Sequence, residues 1–318
     1  MALVGATATG KTALSSALAR ALGAEVVCCD SRQVFARLEI GTGKPTPAER
    51  AAGPHHLFDA LALGEQASAG WYARTAAAVC ASVCARGRIP LLVGGSGLYL
   101  RGVLEGLAPT PPHDPAVRER LRAELDARGP EALHARLAIV DPASAARLSP
   151  RDRQRVSRAL EVHESTGRSL SWWHAQTPGA AAGPHATVLE IVVAAGELRE
   201  RIARRTAWMF EHGLLEETRG LLAAGLEVPL KRLRAIGYDE AIEVVEGRLD
   251  PPTARARVDL RTARLAKRQR TWFRHQIETV RLDATGRSQE ELCGAALDAL
   301  RGAGLANGGA EPGARERH

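Results

Sequence analysis

The chain has 318 residues, 45% of them apolar and 25% charged, with a formal net charge of +7. That balance supports one large or two modest folded domains and excludes a disordered or collagen-like chain; no apolar run approaches the ~18 residues of a membrane-spanning helix. The positive excess is arginine, since Lys11, Lys44, Lys231 and Lys267 are the four lysines among 43 basic residues; a guanidinium fork suits phosphate, although charge alone does not identify the anion.

In chain order, residues 1–5 (MALVG) read as a short buried strand, followed by a glycine-containing loop and a helix over residues 12–22 that Gly23 stops. Residues 24–29 (AEVVCC) read as a second strand. A helix follows over residues 71–86, stopped by Gly87, and residues 88–97 (RIPLLVGGSG) form a third strand entering a tight glycine turn. Strands alternating with helices in this way specify an α/β fold, a P-loop NTPase-like parallel sheet flanked by helices.

The alternation stops at the proline-rich stretch 108–115, after which the chain is helical and highly charged to about Trp173. A second loose junction, 177–186, precedes a strand (TVLEIVV) that returns to the sheet. The economical organisation is a catalytic core of residues 1–107 and 186–300 with an all-helical insertion over 108–185. Beyond Glu197 helices dominate to Gln276, broken by a turn over 229–240 (PLKRLRAIGYDE); ETVRLDA adds a strand, and residues 302–318 are expected to be disordered. Cys28, Cys29, Cys80, Cys84 and Cys293 show neither CxxC nor metal-ligand spacing, so reduced structural thiols are expected; the terminus lacks a secretory leader pattern. A soluble cytoplasmic monomer with no membrane association is the expectation.

Gly5, Ala6, Thr7, Ala8, Thr9, Gly10, Lys11 and Thr12 fit G-x-x-x-x-G-K-[ST], between a strand and a helix as the motif requires. Backbone N–H groups of such a nucleotide-binding loop surround a diphosphate, Lys11 adds a cation, and the Thr12 hydroxyl can ligate Mg²⁺. Asp30, at the end of the second strand, lies at the sheet's carboxyl edge, where open α/β folds bind ligands. By position alone it is a Mg²⁺ ligand through water, a general base, or an N-cap for the residues that follow. His55 and His56 are adjacent and point apart on a helix or strand, which argues against a shared metal.

Asp30-Ser31-Arg32-Gln33-Val34-Phe35, Ile40-Gly41-Thr42-Gly43-Lys44-Pro45, His55-His56-Leu57-Phe58-Asp59 and Gly94-Gly95-Ser96-Gly97-Leu98-Tyr99 follow in order. With the later RQRVSRA block from Arg153, Ile236-Gly237-Tyr238 and Lys267-Arg268-Gln269-Arg270-Thr271-Trp272, these resemble the tRNA dimethylallyltransferases (tRNA isopentenyltransferases) from about Gly5 to Trp272. The chain has Ala6 where the family usually has proline, Phe35 where it has tyrosine, and Ser96 where it has threonine; none removes a group the chemistry needs.

The resemblance implies transfer of a dimethylallyl group from dimethylallyl diphosphate to N6 of adenosine 37 in tRNAs that read codons beginning with U, with pyrophosphate leaving. It implies Asp30 as the base, Mg²⁺ at Thr12, an arginine of the RERIARRTAWM helix at the diphosphate (Arg205 preferred over Arg201), and Thr7 and Ser96 as hydroxyl contacts. It further implies that the anticodon stem-loop contacts Asp30, Ser31, Arg32, Gln33, Ser96, Arg118, Gln154, Arg155, Val156, Ser157 and Arg158. Arg234, Gly237, Tyr238, Lys267, Arg268, Gln269, Arg270, Trp272 and Arg274 complete that set.

The residues add weight of their own. Arg255, Arg257, Arg261, Arg264, Lys267, Arg268, Arg270 and Arg274 lie within twenty residues whose only acid is Asp259, and Arg257, Arg261, Arg264 and Arg268 share a helical face; the plain alternative is a solvated basic helix. Arg151, Arg153, Arg155 and Arg158 make a second cluster in the insertion. Adenosine 37 has to leave its stack to reach a buried diphosphate, which calls for such surfaces. A small-molecule P-loop kinase and an adenylate isopentenyltransferase leave both clusters idle. A non-enzymatic RNA-binding NTP switch is disfavoured because LLVGG ends without an aspartate.

Overall fold

The computed structural model describes residues 1–51, 53–176 and 186–303. The first half of the core runs β1 (Ala2–Gly5), α1 (Lys11–Leu22), β2 (Ala24–Cys28), α2 (Pro47–Ala51), β3 (His55–His56), α3 (Ala69–Ala85), β4 (Ile89–Gly94) and α4 (Gly97–Leu104). Among the described residues the next segment carries helices and no strand: α5 (Pro115–Val140), α6 (Pro142–Arg147), α7 (Arg153–Thr166) and α8 (Leu170–Ala175). The core resumes with β5 (Val188–Val192), α9 (Ala195–Glu211), α10 (Leu214–Ala223), α11 (Glu227–Leu233), α12 (Tyr238–Val245), α13 (Pro251–Gln276), β6 (Val280–Asp283) and α14 (Gln289–Gly302).

The six strands form one parallel sheet in the order β3-β2-β4-β1-β5-β6. Every residue of β1 and β2 is buried, as expected of strands covered by helices on both faces, where apolar runs replace alternation. One face packs Leu3, Val26, Leu91 and Ile191 against α1 and α14; the other packs Val4, Val27 and Leu92 against Tyr72, Tyr99 and Phe273. Tyr72 and Tyr99 stack at 4.1 Å, and the Tyr72 hydroxyl donates to the Cys28 carbonyl at 2.8 Å, fixing the end of β2 beneath the site. Among the described residues no helix is long and apolar enough to cross a membrane.

The chain divides into two compact units, Met1–Leu104 with Pro184–His318, and Glu105–Gly183. In the second unit Val117, Leu121, Leu133, Leu137, Val156 and Leu160 form its own core. Asp114 caps α5 ahead of Pro115, Asp152 caps α7 and Gly167 ends it in the left-handed conformation, local signals that the sequence carries openly.

Three details differ from the sequence reading. The short strand β3 was not anticipated; it is a two-residue edge whose His56 bonds Glu25 at 2.7 Å and whose His55 bonds the Gly53 carbonyl at 2.8 Å. The expected turn over 229–240 shrinks to residues 234–237, because buried Leu230 holds α11 to Leu233 and buried Tyr238 starts α12. Helix α5 is broken at Gly129, with φ 81° and ψ 168°, just before Pro130. Most of the 177–186 junction and residues 304–318 of the expected tail lie outside the described residues, while Gly302 is still helical.

Candidate active site

Register sets the site. Cys28 pairs with Val93, Val4 with Gly94 and Gly5 with Ile191, so the loops leaving β2, β4, β1 and β5 emerge side by side at the carboxyl edge. Gly94 and Gly95 allow the closest approach: a Cβ on Gly94 would lie 1.9 Å from the Cys29 carbonyl oxygen, and one on Gly95 2.3 Å from Gln269 Nε2.

The phosphate loop folds as its motif requires. Gly5 and Gly10 take φ of 146° and 97°, and Ala8 a left-handed φ of 65°. Thr9 Oγ1 donates to the Ala6 carbonyl at 2.9 Å. Lys11 at the first turn of α1 curls back, its Nζ 3.0 Å from the Gly5 carbonyl and 2.7 Å from that of Ala6. Burial draws its pKa down to about 8, against the pull of nearby Asp30 and together with the like charge of Arg205. Thr12 receives Ser15 and Ser16 through its carbonyl at 2.8 and 3.1 Å; its hydroxyl, at the positive end of a helix, has no partner among the described residues. Those residues contain no cluster of three His, Cys, Asp or Glu fit for a metal. A divalent ion here would therefore rest on the Thr12 hydroxyl and on oxygens that a diphosphate brings, a hard-oxygen set suited to Mg²⁺.

Asp30 lies two residues beyond β2. Its Oδ1 accepts from the backbone amides of Arg32 at 2.8 Å and Gln33 at 3.4 Å, closing a turn; Oδ2 accepts no hydrogen bond from a described residue. Ser96 Oγ accepts from the Ser31 amide at 2.9 Å and thereby ties this turn to the loop after β4. Of the arginines of α9, Arg201 and Arg205 face different ways. Arg201 pairs with Glu197 at 2.5 Å and donates to the Thr9 and Ala284 carbonyls at 3.2 and 3.1 Å, bracing the loop from outside. Arg205 points inward, donating to Thr7 Oγ1 at 3.0 Å and to the Thr42 carbonyl at 2.9 Å; burial lowers its pKa, opposed by Asp30.

Above these groups opens a cavity of about 500 Å³. Of the residues singled out from sequence, it brings together Thr7, Asp30, Ser31, Arg32, Ser96, Arg205, Arg234, Arg261, Arg264, Arg268 and Gln269. Gln269 also braces the loops: its Oε1 accepts from the Thr7 amide at 2.9 Å and its Nε2 donates to the Gly95 carbonyl at 3.0 Å. Thr42, which the sequence marks only as part of its motif block, lines the cavity as well, with Ile202, Met209 and Val258, which were not identified from sequence; i, i+3, i+4 spacing with Arg205 was the available signal for Ile202 and Met209.

Several residues that the resemblance assigned to RNA are placed elsewhere. Tyr238 is fully buried beneath Gly41 and its hydroxyl bonds Glu217, while the Gly237 amide donates to the Glu240 carboxylate at 2.9 Å. Trp272 packs on Gly97, where a Cβ would lie 2.1 Å from the indole. Val156 is core, and Arg158 holds Glu161 at 3.1 Å and the Pro111 carbonyl at 2.6 Å. Gln33 donates to the Thr42 and Gly43 carbonyls at 3.1 and 3.0 Å. Arg118, Gln154 and Arg155 are exposed and Ser157 is half-buried. Lys267, Arg270 and Arg274 line a second groove with Leu198 and Ile202, separate from the cavity that holds Arg268.

The basic face of α13 is divided. Arg257 pairs with Glu243 at 2.9 Å, and Arg261 with Asp239 and Glu240 at 2.8 and 2.5 Å. Arg264, Arg268 and neighbouring Arg234 carry no ion pair among the described residues.

The profile of the IPP transferase family matches residues 33–276, and that of the isopentenyl transferases matches residues 1–54. A tRNA dimethylallyltransferase of Stenotrophomonas maltophilia is 43% identical over 304 residues, 93% of this chain and 95% of its own. One from Halorhodospira halophila is 43% identical over 95% of this chain and 98% of its own. Among solved structures, the tRNA isopentenylpyrophosphate transferase of Bacillus halodurans aligns with a TM-score of 0.69 at 32% identity, over 95% of each chain. A eukaryotic dimethylallyltransferase acting on tRNA aligns with a TM-score of 0.81 at 25% identity, covering 99% of this chain and 81% of the other.

Proposed function

The chain belongs to the IPP transferase family of tRNA dimethylallyltransferases, and on that premise we propose that its cavity moves a dimethylallyl group from dimethylallyl diphosphate to N6 of adenosine 37 in tRNA. It is a prenyltransferase that modifies tRNA. The observation that carries the finer reading is the pairing of Asp30 and Arg205 across one cavity, a carboxylate facing a buried cation anchored on the phosphate loop.

The donor's diphosphate lies along the amides of the loop, against Lys11 and Arg205. Charge builds on that leaving group as the C–O bond breaks, and cations already fixed in a confined site stabilise it without reorganising. Mg²⁺ at Thr12, when bound, adds charge neutralisation to the departing diphosphate. The N6 amine is a weak nucleophile because its lone pair is delocalised into the ring. Asp30 removes its proton as the C–N bond forms, and the turn made by the Arg32 and Gln33 amides leaves one carboxylate oxygen for that task. Adenosine 37 enters extruded from its loop, with Arg234, Arg264 and Arg268 available for phosphate. The exposed Arg118 of the helical unit, which carries no ion pair among the described residues, gives a further RNA surface.

The reading is tested by incubating the protein with dimethylallyl diphosphate, Mg²⁺ and unmodified tRNA, then weighing the nucleosides. Adenosine is expected to gain one five-carbon group. Unchanged adenosine, with ATP γ-phosphate passed to a small acceptor, would replace this reading with a kinase.

A further inference from the structure

We propose that Gln33 is a positioning residue, one that registers the Asp30 turn with the Arg205 guanidinium through the Thr42 carbonyl. The inference rests on the prenyl-transfer reading and concerns how its two halves are kept at a fixed distance. Transfer from a diphosphate to an amine requires acceptor nitrogen, reacting carbon and leaving oxygen in line. Displacement by about 1 Å is enough to cost on the order of a hundredfold in rate.

The backbone of Gln33 belongs to the base: its amide donates to Asp30 Oδ1. Its side chain belongs to the loop that carries the cation. Both groups facing the side-chain amide are carbonyl oxygens, Thr42 at 3.1 Å and Gly43 at 3.0 Å, so the NH₂ end faces them and both its hydrogens are engaged. The Thr42 carbonyl receives Arg205 Nη2 at 2.9 Å on its other side, while Arg205 Nη1 reaches Thr7 of the phosphate loop. A single carbonyl thus touches both halves.

The loop is built to hold that carbonyl still. Gly43 has φ 59°, and a Cβ there would lie 2.2 Å from Arg205 Nη2, so the guanidinium lies directly on its backbone. Next to it, buried Lys44 is held by the Phe35 carbonyl at 2.6 Å, by Glu39 at 3.0 Å and by Asp59. Thr42 Oγ1 donates to the Leu38 carbonyl at 2.7 Å.

Gln33→Met and Gln33→Glu keep the length of the side chain and remove its donors. With saturating tRNA and dimethylallyl diphosphate, the single-turnover rate is expected to fall tenfold or more, with tRNA Kd within about twofold of wild type and an unchanged thermal midpoint. Combined with Arg205→Lys, whose single ammonium cannot bridge Thr7 and Thr42 together, the loss should fall well short of the product of the two single losses. A raised tRNA Kd with normal saturated rate would make Gln33 an RNA contact and overturn the proposal. So would multiplying losses, or a lowered midpoint with a normal rate per folded molecule. A wild-type control that leaves adenosine unmodified overturns the functional reading itself, an outcome distinct from these.

Discussion

The helical unit carries eleven arginines and the cavity is lined by six, Arg32, Arg205, Arg234, Arg261, Arg264 and Arg268, and the two groups are used differently. In the unit, Arg120, Arg128, Arg136, Arg155 and Arg158 each meet a carboxylate from their own unit: Glu124, Asp152, Glu161 or Glu164. Around the cavity, Arg261 is the one lining arginine that meets carboxylates among the described residues, Asp239 and Glu240; Arg32, Arg234, Arg264 and Arg268 meet none, and Arg205 is held by a hydroxyl and a carbonyl. A cation already paired with a carboxylate offers less to a phosphate than an unpaired one, so five paired arginines of eleven discount the basic count of the unit more than one of six discounts that of the cavity.

Four substitutions or conditions break or sharpen that contrast. Asp30→Asn keeps an oxygen for the turn amides and loses the base; turnover at saturation should fall a hundredfold or more with tRNA affinity almost unchanged. Loss of affinity at normal turnover would move Asp30 to the RNA side of the comparison. Changing Arg264 and Arg268 together to glutamine should weaken tRNA binding about tenfold and flatten the plot of log K against log salt by between one and two units. Lys11 sets a pH limit: its folded pKa is lowered to about 8, so the ammonium is lost as pH rises through that value. The kcat/KM for dimethylallyl diphosphate should decline several-fold there, and a flat profile to pH ~9.5 would separate Lys11 from donor binding. Arg158→Ala is the smallest for binding. It strips a buried glutamate of its strong partner and should destabilise the helical unit by about 1–3 kcal/mol in denaturant melts, while the salt slope stays as in wild type; a slope reduced by one would mean that Arg158 reaches RNA after all.

The sheet and the phosphate loop were legible because their signals are local: apolar runs, a glycine-lysine loop, and Asp30 just after a strand. The resemblance located the remaining blocks. What stayed hidden was pairing at a distance. Nothing near Arg257 or Arg261 in the sequence discloses that Asp239, Glu240 and Glu243 of α12 lie against them. Trp272, an RNA contact by the resemblance, packs on the backbone of Gly97, which lies far from it in the sequence. Gln33 is an RNA contact by the resemblance, and only the return of the 40–44 loop shows that both hydrogens of its side-chain amide are engaged within the protein.

The strand order also bears on synthesis. Ala2 of central β1 pairs with Val188 of β5 and, on its other side, with Leu92 of β4. At an elongation rate of about 5–20 residues per second, β1 waits roughly 10–40 s after emerging for its second neighbour. Helices α9 and α13, which complete the cavity, follow later still. A nascent chain therefore carries the phosphate loop long before it carries Arg205, and the capacity to modify RNA is gained only after α13 has been made.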